Sequence, residues 1–445
     1  MTKHATAQDT LYAGADLRQA AEKSQVSRTF GNRISGLRNA AAILSDVSVS
    51  RMRSRDKPRF ELVLATGKDS DSGNKLTAAY AGPGDNSAWC LSSVLADCEQ
   101  TDRVPAQDPD DLRSLLTGVQ SKVDVLFAEG VPADFYKRSG LSFLSMPAWI
   151  KQRIRVLDNW PAQIGSLRRE TRQEAGRYLR KYEFGCSLTR KDDDFVCFYD
   201  HLYRPYIAQR FGQAAHFVER SLFLKECRRG ALLRVTRDGM VFGAALLRPV
   251  GRTMAVVWSA LDPEREAVEL RGVTDTLDYF SLLYAHLRRC RWLDLGPSRP
   301  DVYNGIVRYK AKWGAEIYGG RVPQSTISLA CAGKGHAQQN FLKRHAFLMR
   351  HSDGFRAVIF VDGTADAAAF GAKLSGLMNP GVSNYRVITL SPPGDGLREI
   401  VANLEADVTL VDAGQYPDVM SAARCSRPIL ETSCSNRGDS ASNCS

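Results

Sequence analysis

Only a few side chains in this sequence are placed by type and spacing for chemistry. Asp294 lies in the strand-like run Arg291-Trp-Leu-Asp-Leu295, beside a Gly/Pro/Ser loop at Gly296 to Pro300, where its carboxylate could serve as a general base. Ser298 and Arg299, in that loop, could hold a substrate or a donor phosphate. Arg169, Arg172, Arg177 and Arg180 share one arc of a helix and could meet a polyanion, although a solvated basic face would show the same spacing. His201 and His286 have no triad-type partner in sequence range, and no Ser or Cys stands in a nucleophile elbow, so covalent catalysis is unsupported. The cysteines at 90, 98, 186, 197, 227, 290, 331, 425, 434 and 444 form no C-x-x-C pair and have no His pair at ligand spacing. No metal site is expected, and reduced thiols are.

The elements that must position these groups are clearest in the middle of the chain. The pattern predicts a helix from Ser166 to Tyr182 ended by Gly185, a second carrying Phe195, Phe198, Tyr199 and Leu202 that stops near Pro205, and a third from Ala215 to Arg228. Asp238-Gly239 between two apolar runs predicts a two-residue hairpin, because both positions must accept positive φ. With Thr253 to Leu261 it makes a three-stranded antiparallel meander. An amphipathic helix follows with Val273, Leu277, Phe280, Tyr284 and Leu287 on its core stripe, and with Asp275 and Asp278 near its N-terminus, where the helix dipole favours anions. The strand ending in Asp294, a helix around Tyr303 to Trp313 and a strand from Gln324 to Leu329 complete the region.

Upstream, Phe60 to Leu64 and Val123 to Phe127 read as strands, and Pro147-Ala-Trp-Ile opens a new element. Downstream, Ala357–Val361, Tyr385–Leu390 and Val408–Val411 alternate with helical stretches, a β-α-β-α-β pattern that suggests a small parallel sheet. The fold class is therefore mixed α+β. The expected division is a polar segment over 1–45, an α/β unit over 46–160, a core domain over 161–345, the small module over 346–431 and a disordered tail over 432–445.

The run Arg291-Trp-Leu-Asp-Leu-Gly-Pro-Ser-Arg-Pro300 with Tyr303-Asn-Gly-Ile-Val-Arg-Tyr-Lys-Ala-Lys-Trp-Gly314 resembles the closing motif of FemAB-like acyltransferases of the GNAT superfamily. The resemblance spans about 165–320, takes in the Arg-rich helix, Tyr203-Arg-Pro-Tyr206 and the Asp-Gly hairpin, extends loosely to a degenerate first GNAT-like domain, and leaves the module beyond 345 uncovered. It implies tandem GNAT-like domains and transfer of an acyl group to an amine or hydroxyl. Attack on an ester or thioester builds an oxyanion that an ammonium can stabilise. In the matching aromatic-lysine pair Lys310 takes that role, with Tyr309, Asn304 and Trp313 around the donor. The superfamily's pyrophosphate loop has a thin counterpart in Glu269-Leu-Arg-Gly-Val-Thr274, where only Arg271 and Gly272 could contact phosphate.

At 44% hydrophobic and 24% charged residues, the 445-residue chain is excluded from the disordered and fibrous classes, and its net charge of +11 favours polyanionic partners. No apolar run approaches the roughly 20 residues of a spanning helix, and no secretory signal is evident, so a cytoplasmic protein is expected, with peripheral membrane contact left open. The expected co-substrate is acyl-coenzyme A, with no tightly bound cofactor, and the acceptor a sugar or cell-envelope precursor. Two alternatives stand beside it: an aminoacyl-tRNA donor, and a non-catalytic binding protein that kept the fold.

Overall fold

The computed structural model of the protein describes residues 60–69, 72–84, 86–131, 133–211, 215, 217–267, 269–319, 325–331, 335–351, 354–404 and 407–424. The expected polar segment over 1–45 and tail over 432–445 lie outside them. The described chain is mixed α/β with three sheets.

The first sheet holds β1 (Phe60–Asp69), β2 (Lys75–Gly82), β3 (Leu95–Ala106), β4 (Val125–Glu129) and β5 (Leu144–Pro147). The second holds β6 (Ile150–Arg155), β7 (Gly185–Thr189), β8 (Ala231–Arg237), β9 (Met240–Val250), β10 (Thr253–Leu261), β11 (Trp292–Ser298) and β12 (Glu316–Tyr318). A later strand, β13 (Thr326–Cys331), returns to the first sheet and lies antiparallel between β4 and β5. In the same way β6 lies antiparallel between β11 and β12 of the second sheet. Each half of the chain thus gives a strand to the slot left open in the other. The first two sheets therefore interleave along the chain, and the third begins at Ala346.

The hairpin forms as expected, with Asp238 (φ 52°) and Gly239 (φ 76°) both left-handed, and the meander β8-β9-β10 is antiparallel throughout. Helix Val273–Leu287 buries Val273, Leu277, Phe280 and Tyr284 against the sheet. Three expected boundaries are corrected. The Arg-rich helix spans Arg169–Tyr182 and ends at left-handed Glu183 (φ 51°), while Gly185 opens β7; a separate helix, Trp160–Ser166, is started by the Asn159 cap with Pro161 in its first turn. Pro205 does not stop its helix. The α-helix Asp192–Cys197 passes through a π-helical stretch, Phe198–Tyr203, into Arg204–Phe211, and Pro205 falls in the first turn of that last segment. Finally, β11 runs through Gly296–Ser298, expected as loop, by taking a bulge between Asp294 and Pro297 with Gly296 at φ 76°.

The third sheet orders β14 (Ala346–His351), β15 (Gly354–Val361), β16 (Val382–Thr389) and β17 (Val408–Asp412), the last three parallel as the pattern suggested. One face packs Phe347, Val358, Phe360 and Ile388 into the core of the first sheet. The other is covered by helices Ala367–Leu377 and Asp395–Ala402. Asn379 fixes the module to the second sheet: its Oδ1 accepts the Ile317 N–H (2.8 Å) and its Nδ2 donates to the Ala315 carbonyl (2.8 Å).

Candidate active site

Strands β10 and β11 run parallel but pair only over Thr253–Ala255 against Trp292–Asp294. Both continue beyond that point, and each carries a bulge there, between Val256 and Trp258 on β10 and between Asp294 and Pro297 on β11. The strands therefore part, and among the described residues the main chain of Val257 to Ser259 has no ladder partner on the β11 side.

Lys310 is bonded to the bulged end of β11. It is 9% exposed, on helix Gly305–Lys312, which Asn304 caps by accepting the Ile306 N–H (2.9 Å). Its Nζ donates to the carbonyls of Gly296 and Pro297 and to Ser298 Oγ, each at 3.0 Å. Burial lowers the Lys310 pKa to about 8, against the opposing pull of Asp294 and Asp278. Ser298 in turn donates to Gln152 Oε1 (3.0 Å), and Gln152, fully buried on the exchanged strand β6, donates to the Val307 carbonyl (3.0 Å). Asp294 is committed to the same stretch: Oδ1 accepts the Gly296 N–H (2.9 Å), and Oδ2 accepts the Tyr318 hydroxyl (2.7 Å) and faces Lys151 Nζ (3.7 Å).

A second group lies between the helices that flank these strands. Tyr309 donates to Asp275 Oδ1 (3.1 Å) and sits beside the Asp278 carboxyl and the fully buried Trp313. Burial raises the Asp278 pKa to about 7; the Tyr309 hydroxyl opposes the rise, Asp275 adds to it and Lys310 opposes it. Burial, with the two carboxylates, pushes the Tyr309 hydroxyl well above its ordinary value, so the phenol stays protonated. A carboxyl poised near neutrality against a protonated phenol can relay a proton. Sequence reasoning used Asp278 only for the helix dipole; the signal it missed is the i, i+3 pair Asp275/Asp278, which puts two carboxylates on one helix face.

The remaining candidates are not brought to this place. Arg299 turns into the first sheet, where its guanidinium lies between the rings of Trp89 (4.6 Å) and Trp149 (3.7 Å) and donates to Asn86 Oδ1 (2.6 Å). Burial lowers its pKa to about 10. Arg271 is exposed, and Gly272 (φ 84°) begins helix Val273–Leu287 with the Tyr178 ring filling the space where a β-carbon would stand. The loop leading to Gly272 is acidic, with Asp262, Glu264, Glu266 and Glu269; its Arg265 bonds Asp262 (3.1 Å) and faces Glu269 (3.8 Å). His286 presents Nδ1 to the Leu157 carbonyl (2.9 Å) against Trp160. Among the described residues no group of His, Cys, Asp or Glu could hold a metal ion, and no helix is long and apolar enough to cross a membrane. Arg169, Arg172, Arg177, Arg180 and Lys181 are all exposed, and no carboxylate among the described residues forms an ion pair with them.

No family model and no curated protein matches the sequence. Solved structures similar in part include FemX (12% identity, 62% of this chain and 86% of that one, TM-score 0.32) and the L-PGS of Bacillus licheniformis (8%, 61% and 85%, 0.29). A tandem GNAT protein from the clavulanic acid biosynthesis pathway is similar at 12% identity over 72% of this chain and 96% of its own, with a TM-score of 0.27. The strand order and the site geometry, rather than these likenesses, support the reading below.

Proposed function

We propose that the chain is an acyltransferase of tandem GNAT-like fold that moves an acyl group from an activated ester or thioester to an acceptor amine. The observation that carries this reading is the parting of β10 from β11, with Asp278 and Tyr309 on the helices beside it. The unpaired main-chain edge of β10 suits an extended amide-bearing donor, and its N–H groups suit the oxyanion formed on attack. The new C–N bond forms as the ester C–O or thioester C–S bond breaks. Tyr309 delivers a proton to the leaving atom and is reprotonated from Asp278, which ends by taking the proton released from the amine. Lys310, with its bonds turned to β11, and Asp294, held by Gly296 and Tyr318, act as positioning residues that keep the strands apart.

Two observations favour a polynucleotide-borne donor such as aminoacyl-tRNA over acyl-coenzyme A. The acidic loop and the Tyr178 ring disfavour a pyrophosphate at the start of helix Val273–Leu287. The exposed cations of helix Arg169–Tyr182, with no carboxylate partner among the described residues, suit a phosphate backbone. Acyl-coenzyme A remains the second reading, favoured by the open edge of β10.

Titration of tRNA and of acetyl-coenzyme A, with consumption of aminoacyl ester or thioester followed in parallel, tests the proposal. Expected are tRNA binding that weakens steeply with salt, a shallower salt slope in an Arg172/Arg177/Arg180→Gln variant, and ester consumption lost in Tyr309→Phe. Acetyl-coenzyme A binding without tRNA binding would move the donor to the second reading. Turnover of neither donor would sink the enzyme and leave the binding-protein reading.

A further inference from the structure

Arg153 and Arg299 each place a guanidinium against two aromatic rings. Arg153 has Trp292 at 3.7 Å and Tyr318 at 4.5 Å, and its Nε and Nη2 donate to Glu316 Oε1 (2.8 and 2.7 Å). Arg299 repeats the ring distances, with Trp149 at 3.7 Å and Trp89 at 4.6 Å, but has no carboxylate. Its bonds run through Nη1 alone, to Asn86 Oδ1 (2.6 Å) and the Ala148 carbonyl (3.4 Å). Nε and Nη2 have no bonding partner among the described residues, and neither is sealed from solvent. Glu129 acts on Arg299 from a distance. Its Oε2 accepts the Tyr80 hydroxyl (2.6 Å) and Asn86 Nδ2 (2.9 Å), so Asn86 stands between the two charges. With a pKa of about 10 the guanidinium is charged at neutral pH. Drawing a cation out of water is unfavourable unless a partner charge offsets it, and the ring faces offset only part. The edge that Arg153 gives to a carboxylate is unused in Arg299.

We propose that the Nε and Nη2 edge of Arg299 binds the carboxylate of a ligand whose carbon skeleton lies on the partly exposed rings of Trp89 and Trp149. Two N–H donors on one edge of a guanidinium fit a carboxylate, and the pairing of Arg153 with Glu316 shows that chemistry inside the same fold. A planar carboxylate continues the guanidinium plane between the two rings, where a tetrahedral phosphate would press on both. The inference does not depend on acyl transfer, and its test reads binding alone.

The probes are benzoate, phenylphosphate, neutral benzamide and cationic benzylamine. Each is titrated into the full chain while the tryptophan indole N–H signals are followed by nuclear magnetic resonance, with Trp89→Phe, Trp149→Phe and Trp292→Phe assigning the three that matter. Benzoate should move the Trp89 and Trp149 signals saturably and leave Trp292, whose arginine is already paired, in place. Benzamide and benzylamine should move none of them. Arg299→Lys keeps the charge but loses the paired donors and should weaken benzoate about three- to tenfold, and Arg299→Met about ten- to a hundredfold. If Arg299→Met does not fold, the contrast between benzoate and benzamide on the wild type, with Arg299→Lys, still decides the question. No response to benzoate would leave Arg299 as a latch between its loop and the first sheet and overturn the proposal. So would an equal response to benzamide, an equal shift at Trp292, or unchanged affinity in Arg299→Lys. Tighter binding of phenylphosphate than of benzoate would overturn the assignment to a carboxylate.

Discussion

Lys310 sends all three of its N–H bonds inward, to two backbone carbonyls and one hydroxyl at the bulged end of β11. Lys310→Met keeps much of the stem and removes the donors, leaving buried carbonyls unsatisfied at about 1–3 kcal/mol each. The expected loss is therefore about 2–5 kcal/mol in denaturant unfolding; a change below about 0.5 kcal/mol would instead mark Lys310 as a surface cation. Asp278 makes a pH prediction. Its folded pKa, about 7, is raised above that of the unfolded chain, so its contribution to stability is fully present at acid pH and is lost as pH rises through 7. Thermal midpoints of wild type should fall over that window relative to Asp278→Asn, and parallel pH curves for the two proteins would refute the assignment. The neighbourhood of Tyr309 and Lys310 was legible as a motif, but their partners were not. Asp275 lies 34 residues from Tyr309 and Gln152 lies 146 from Ser298, separations that no local pattern reports. Arg299 was placed in the right loop with the wrong destination, because the tryptophans that hold it, Trp89 and Trp149, pack on the core of the first sheet and lie 210 and 150 residues away in the sequence.

Among the elements, the hairpin and the helix Val273–Leu287 were readable, because turn chemistry and a 3.6-residue stripe are local signals. β3 was not. It is an edge strand exposed along nearly its whole length, so its residues show no alternation of apolar and polar. The extension of β11 was hidden by Gly296 and Pro297, which read as a loop and in the fold make a bulge. Gly272 gives this scale its prediction. Its left-handed φ and the Tyr178 ring against it both exclude a side chain. Gly272→Ala should cost at least about 1–2 kcal/mol from the backbone alone, and adding Tyr178→Ala should restore only the part due to the clash. Full recovery in the double variant would show that the backbone conformation carries no cost.

For the whole molecule, the decisive feature is the exchange of β6 and β13. The expected domain division followed composition along the chain, and a strand passed to the neighbouring sheet leaves no mark in composition. β13 is central to its sheet, so Ser328→Pro should break ladder bonds on it at about 3 kcal/mol or more. Because β6 and β13 tie the two sheets together, hydrogen exchange should quicken in β4 and β5 and also in β11; quickening confined to the first sheet would show that the sheets open independently. The exchange also sets an order of events at the ribosome. Between the end of β5 and the start of β13 lie about 180 residues, which take roughly ten to forty seconds to synthesise. Throughout that interval the first sheet must wait with the flanks of β4 and β5 bare, a window in which a holding chaperone, or the β13 of another nascent copy, can reach the slot first.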